Sequence, residues 1–156
     1  MLLGARGDVR LLRTLLDAGG NPNGLDFEGV PIIFQVLDSS YSNMMVSNYS
    51  GGDFRDRLRL LLDRGADVNS RRTRGGDLTL LQALVLLGGS QPVAYADALN
   101  LLERGADFSK AQDRWILGNI LTAHRRERSD KGKAVPPEYE KLCDWLRQHG
   151  AILGEG

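Results

Sequence analysis

The sequence predicts an all-α fold, a solenoid of stacked helix–turn–helix units joined by short hairpin-like loops. Three observations predict it. First, a leucine pair with a glycine four residues after its first member recurs from Leu15 to Gly19, Leu61 to Gly65 and Leu101 to Gly105, with a worn copy from Leu146 to Gly150. Second, leucines at adjacent and three-residue steps (Leu12, Leu15, Leu16; Leu58, Leu61, Leu62) fall on one helical face. Third, each of the first three glycines is followed by Asn21, Asp67 or Asp107, a turn-forming side chain, and then by Pro22, Val68 or Phe108, an apolar plug expected to face the core. The glycine supplies the left-handed residue that ends a helix at little cost. The chain therefore stops a helix, turns and restarts at each copy.

The exit Arg64-Gly65-Ala66-Asp67-Val68-Asn69, and the near copy Arg104-Gly105-Ala106-Asp107-Phe108-Ser109, resemble the exit of the ankyrin repeat, whose second helix ends in a leucine run followed by Gly-Ala-Asp-Val-Asn. The resemblance covers roughly residues 3–153. It implies an ankyrin-repeat solenoid, a single domain over 1–156, with units near 1–23, 24–69, 70–109 and 110–153. The family's Thr-Pro-Leu-His start is kept only in part: Val30-Pro31-Ile32-Ile33 has the proline, Thr79-Leu80-Leu81-Gln82 the threonine and leucine, and no copy has the histidine. The stop glycines lie 46, 40 and 45 residues apart. A regular ankyrin unit repeats every ~33 residues, so each unit carries an insertion of roughly 7 to 13.

Taken in order, Leu2–Ala5 is the remnant of a first inner helix, and Asp8 is placed to cap an outer helix from Val9 to Ala18. Gly24 to Gly29 reads as a hairpin tipped by Asp26, Phe27 and Glu28. Pro31 suits the first turn of the next inner helix, whose apolar body is Ile32, Ile33, Phe34, Val36 and Leu37. Residues 39–52 form an insertion rich enough in apolar side chains (Tyr41, Met44, Met45, Val46, Tyr49) to need a packing surface, on its own repeat or on a partner. Asp53 is expected to cap the outer helix Phe54 to Arg64. Ser70 to Gly76 reads as a second hairpin with Arg71, Arg72 and Arg74 at its tip, and Asp77 leads an inner helix from Leu78 to Leu87. A third outer helix follows from about Val93 to Arg104. Ser109 to Asp113 reads as a third hairpin exposing Lys110, Gln112 and Arg114. The last inner helix carries Trp115, Ile116, Leu117, Ile120 and Leu121, and the polar run Glu127 to Ala134 is an insertion. Arg125-Arg126-Glu127-Arg128 and Lys131-Gly132-Lys133 make a basic patch there, read as a solvated loop rather than a nucleic-acid site because no aromatics interleave and the net charge is zero. Pro136-Pro137 starts the last outer helix, with Tyr139, Leu142, Cys143, Trp145 and Leu146 inward. Arg147 replaces the leucine found at Leu62, as suits a terminal unit with no neighbour to cover it.

Twenty Lys+Arg balance 20 Asp+Glu, so no net field draws the chain to nucleic acid or an anionic membrane. The basic residues are mostly arginine, which points to a GC-rich, bacterial genome. One cysteine cannot form an internal disulfide, no apolar run reaches membrane-spanning length, and the start Met1-Leu2-Leu3-Gly4 is no signal peptide. A cytoplasmic location is expected.

Catalytic motifs are weak. Ser50-Gly51-Gly52-Asp53-Phe54 resembles the diguanylate cyclase signature but lacks its acidic-aromatic pair and precedes a helix. Asn48-Tyr49-Ser50 has the glycosylation pattern without the secretory context. His124 and His149 are not at metal-ligand spacing with partners, no serine sits on a nucleophile-type turn, and no glycine cluster fits a phosphate loop. No catalytic residue, metal or cofactor is expected. The family resemblance implies a non-enzymatic protein-binding module, a monomer when free. The resemblance implies binding through the hairpin tips and the concave inner-helix face, with contacts from Asp26, Phe27, Glu28, Arg71, Arg72, Arg74, Lys110, Arg114 and Trp115. The expected partner is another protein of mixed charge, such as a toxin or effector enzyme that this chain neutralises as an inhibitor or immunity protein. The alternatives are a fragment of a larger scaffold and an enzyme with its site in the insertions.

Overall fold

The computed structural model describes residues 9–37, 52–74 and 76–151. The expected inner-helix remnant Leu2–Ala5, the Asp8 cap and residues 39–51 of the insertion 39–52 lie outside the described residues; Gly52 already opens a helix, so Asp53 falls within it rather than before it as a cap. The chain is mostly helical. In order come α1 (Val9–Asp17), a helical run at residues 33–37, α2 (Gly52–Asp63), β1 (Arg71–Arg72), β2 (Leu78–Thr79), α3 (Leu80–Gly88), α4 (Val93–Glu103), α5 (Ala111–Asp130) and α6 (Pro137–Gln148). Residues group into two compact units, Met1–Leu80 and Leu81–Gly156. Among the described residues no helix is long and apolar enough to cross a membrane.

The four leucine–glycine stops share one geometry. Gly19, Gly65, Gly105 and Gly150 have φ of 94°, 96°, 99° and 84°, in the region that only glycine enters without strain. Each closes the same pair of hydrogen bonds onto the helix it ends. The glycine N–H donates to the carbonyl three residues back (Leu16, Leu62, Leu102, Arg147), and the next N–H to the carbonyl five back (Leu15, Leu61, Leu101, Leu146). This is the Schellman arrangement, and it satisfies carbonyls that a helix end otherwise leaves bare. Ala66, Ala106 and Ala151, each one past its glycine, are buried. The exits also match. The side-chain oxygens of Asn21, Asp67 and Asp107 accept the N–H of Asn23, Asn69 and Ser109, two residues on, at 2.8–2.9 Å. The following Pro22, Val68 and Phe108 are only half-buried, so they plug less deeply than expected.

In the first unit, α1 and α2 pack side by side. Their buried faces include Leu12 and Leu16 from α1, and Phe54, Leu58, Leu61 and Leu62 from α2, with Val30, Ile32, Ile33 and Phe34 alongside in the core. Asn23 joins the two exits: its Nδ2 donates to the Gly65 carbonyl at 2.9 Å, and its Oδ1 accepts the Asp67 N–H at 2.7 Å. Arg64 pairs with Asp17 at 2.6 Å. In the second unit α4 packs along α6, burying Ala94, Tyr95, Ala98, Leu101 and Leu102 on α4 and Tyr139, Leu142, Cys143 and Leu146 on α6.

Two of the three expected hairpins are present. Leu25 and Pro31 form an antiparallel bridge, and Arg71–Arg72 pair with Thr79 and Leu78. Each has a positive-φ glycine in its turn, Gly29 at 79° and Gly76 at 121°. Equivalent hydrogen bonds close both bases, Ile32 N–H to Gly24 O and Leu80 N–H to Ser70 O, each 2.9 Å. The expected hairpin at Ser109–Asp113 is absent, because α5 already begins at Ala111. No glycine or proline lies between Gly105 and Gly118 to turn a tip, and Ala111-Gln112-Asp113-Arg114 prefers helix. The polar run Glu127–Ala134 is likewise not all loop. α5 continues to Asp130 and stops at the next glycine, Gly132, with φ 64°. Leu78 and Thr79 are strand rather than the start of α3.

Replacing Asn23 with Ala should remove both bonds that tie consecutive exits together. We expect a loss of about 1 kcal/mol of stability, moderated by solvent at this exposed site, read as a lower urea midpoint with an unchanged m-value.

Candidate functional site

The structure holds the expected contact residues very differently from one another. Asp26 is spent inside its own hairpin. One carboxylate oxygen accepts the N–H of Glu28 at 2.8 Å and of Val30 at 3.0 Å, and the other accepts Gln35 Nε2 at 2.8 Å. That leaves a rigid tip on which Phe27 stands 92% exposed, with Glu28 exposed beside it. An aromatic ring so fully in water, on a turn so fully hydrogen-bonded, has no evident role in the core.

The three arginines do not share one tip. Arg71 and Arg72 lie on β1, both half-buried. Arg71 pairs with Asp77 at 2.9 Å, and the Arg72 guanidinium lies 5.9 Å from the centre of the Phe34 ring, a cation–π contact. Only Arg74 is exposed in the turn. In the second unit Lys110 is the N-cap residue of α5 in extended conformation, and Arg114 and Trp115 follow on its first turns. All three are exposed, Trp115 by 68%. Of the expected set, Phe27, Glu28 and Arg74 remain available in the first unit, and Lys110, Arg114 and Trp115 in the second.

Sequence reasoning missed a second constellation, within residues 81–156. Tyr95 on α4 is fully buried, and its hydroxyl lies 2.7 Å from Nδ1 of His124 on α5. Tyr139 on α6 packs edge-on to Tyr95 with ring centres 5.3 Å apart, and donates its hydroxyl to the Leu121 carbonyl at 2.7 Å. Arg125 lies over the Tyr139 ring at 5.4 Å and reaches Glu140 at 3.7 Å. Burial pushes the Tyr139 phenol up to about 12 and raises Tyr95 further, so both stay protonated. Burial also raises the Cys143 thiol, which keeps it unreactive. Gly88 and Gly89 make the cluster possible. A Cβ on Gly88 would clash with the edge of the Tyr95 ring, and one on Gly89 would lie 2.7 Å from His124 Nε2.

Beside His124 is an open cavity of about 140 Å³, lined by Gly89, His124, Glu127, Arg128, Lys131 and Lys133. Glu127 pairs with Lys131 at 2.6 Å, and this pairing holds its carboxyl below the usual range. Among the described residues no three of His, Cys, Asp and Glu converge as a metal site requires. The sequence carried one signal for the buried charges: Arg57 (1% exposed) and Asp97 (3%) sit on the apolar stripes of α2 and α4, in register with Phe54, Leu58 and Leu61 and with Ala94, Ala98 and Leu101. A charge in that register has to be satisfied internally.

Two outcomes follow from this cluster. Gly88→Ala should cost about 1–3 kcal/mol through overpacking against Tyr95, read by thermal or urea unfolding. Burial holds the His124 imidazole below its ordinary value, with Arg128 adding to this and Glu127 opposing it. As pH falls, the unfolded chain therefore takes up the proton first, and stability declines from about pH 6.5 down through the folded imidazole's lower value. Urea midpoints measured from about pH 7 to 5 should fall in the wild type, and His124→Gln should flatten that window. The lowered Asp107 and Glu127 act only further down, in the carboxylate range.

No protein-family model matches the chain, and no curated protein matches it.

Proposed function

We propose that the chain is an ankyrin-like repeat module without catalytic activity that binds a partner protein through its hairpin tips and the exposed start of α5, in the manner of an inhibitor or immunity protein. The repeated glycine stops, the repeated Asx exits and the two glycine-turned hairpins support the repeat reading. Stacked units of this kind bury a shared core and present a row of loops on one edge. Phe27 carries the binding reading, as a rigid and almost fully exposed ring on a hairpin whose own carboxylate holds it in place. Exposed aromatics and arginines on pre-ordered backbone are what dominate interface energies. Trp115 with Lys110 and Arg114 in the second unit, and Arg74 in the first, extend the same chemistry. The partner envisaged is a protein with an apolar pocket and acidic flanks, of which a small toxic enzyme is the leading case.

The test is capture of a stoichiometric partner from the native host by the full chain, followed by affinity measurement on the purified pair. Phe27→Ala should weaken the complex roughly thirtyfold, the loss of one central aromatic anchor. Arg74→Glu should slow association and reduce its salt dependence. Arg71 and Arg72 are poor choices for this test, because their guanidiniums already hold Asp77 and Phe34. A partner that binds Phe27→Ala and Trp115→Ala as tightly as wild type would refute the assigned surface.

A further inference from the structure

The cavity at the end of α5 is built from parts that converge from three places in the chain. Gly89 forms one wall, in the turn after α3, and its missing side chain leaves space beside His124 Nε2. His124, Glu127 and Arg128 come from successive turns of α5. Lys131 and Lys133 are returned by the Gly132 stop. There the Gly132 N–H bonds to the Ser129 carbonyl at 2.9 Å, and the Lys133 N–H to the Arg128 carbonyl at 2.8 Å, the same double closure that ends α1, α2, α4 and α6. With the Lys131 N–H on the Glu127 carbonyl, three of the last carbonyls of this helix, those of Glu127, Arg128 and Ser129, are hydrogen-bonded, which lessens its repulsion of an anion. Arg128 is steadied by a 3.3 Å bond from its guanidinium to the Ala134 carbonyl.

Three cations face one carboxylate, and that carboxylate is held by Lys131. The histidine adds a directed donor. A buried Tyr95 hydroxyl that did not donate would be left unsatisfied, so it donates to His124 Nδ1, and the neutral ring carries its proton on Nε2, beside Gly89. The volume of about 140 Å³ equals about four to five waters, enough for a tetrahedral oxyanion. From this convergence the geometry points to a binding site for a phosphate group, held by Arg128, Lys133 and His124 Nε2 in the cavity beside Gly89. The shared chemistry is a phosphate oxyanion, free or as a phosphomonoester; Arg and Lys supply the charge, and the imidazole N–H supplies direction. The site shares no residue with the partner-binding surface proposed above.

The experiment follows the His124 ring by NMR in the full chain, while inorganic phosphate replaces chloride at constant ionic strength. Bound phosphate stabilises the imidazolium, so the His124 titration should move up in pH with a saturating dependence on phosphate. The other groups around the ring are Tyr95 from α4, Glu127 and Arg128 from α5, and Lys131 and Lys133 from the following turn, and they are common to both salts. Lys133→Gln, at an exposed position, should keep the fold and weaken the phosphate effect roughly tenfold, the loss of one charge-assisted contact. Arg128→Gln provides a second variant should Lys133→Gln perturb the turn. Repeating the titration with O-phosphoserine and with phenyl phosphate separates the sources: tighter binding of either ester than of inorganic phosphate assigns the site to a phosphomonoester, and equal or weaker binding assigns it to the free anion. A His124 titration that phosphate leaves unchanged, or shifts without saturation and equally in Lys133→Gln, overturns the site.

Discussion

Everything regular in this molecule depends on the left-handed glycine that closes two backbone bonds onto the helix it ends. The same closure occurs after α1, α2, α4, α5 and α6, at Gly19, Gly65, Gly105, Gly132 and Gly150. A helix end exposes carbonyls that must find donors, and this turn supplies them from the chain's next two N–H groups without help from water or distant side chains. It also sets the direction in which the chain leaves. At three of the five ends an Asn or Asp then folds its side chain onto the backbone two residues on, so the exit as well as the stop is specified locally. The first two exits are then linked through Asn23, which satisfies the Gly65 carbonyl and the Asp67 N–H together.

Several charged groups that fall in the loops are engaged by neighbours rather than offered to solvent. Asp26, Arg71 and Arg72 looked like surface contacts because they fall in polar loops, yet each closes on a neighbour within its own unit. What remains exposed on these loops includes Phe27 and Arg74, an aromatic and a cationic side chain on ordered backbone. The combination suits recognition, since ordering the surface adds little further entropy loss on binding. Exposed pairs such as Arg64–Asp17 and Lys131–Glu127 are screened by solvent, and they are better regarded as setting local geometry than as holding the fold.

The second unit adds a polar arrangement inside an apolar one. Tyr95, His124 and Tyr139 meet where α4, α5 and α6 approach, and two consecutive glycines allow the turn after α3 to close over them. Burying two phenols and half-burying an imidazole is tolerable because each hydroxyl has an acceptor. The arrangement fixes the histidine's tautomer and turns its free edge to the basic cavity. Structural necessity and a directed donor thus come from the same hydrogen bond.

The sequence by itself determined the helix stops, the Asx exits, two of the hairpins and the leucine stripes that are buried. Each of these is settled within a few residues, by whether a Cβ tolerates positive φ, by a side chain's reach to its own backbone, or by the 3.6-residue period. Tertiary structure decided what local rules leave degenerate. Residues 111–114 and 127–130 are polar enough for loop and flexible enough in propensity for helix, and they became parts of one long α5, which runs through a buried Gly118 and stops only where Gly132 takes positive φ. Residue type did not reveal which loop charges would be consumed internally, since Asp26 finds Gln35 nine residues away and Arg72 finds Phe34 across the unit. The meeting of Tyr95 with His124, 29 residues apart, was equally hidden. Such pairs depend on how helices pack, and packing is a property of several segments together, which the spacing within any one of them does not encode.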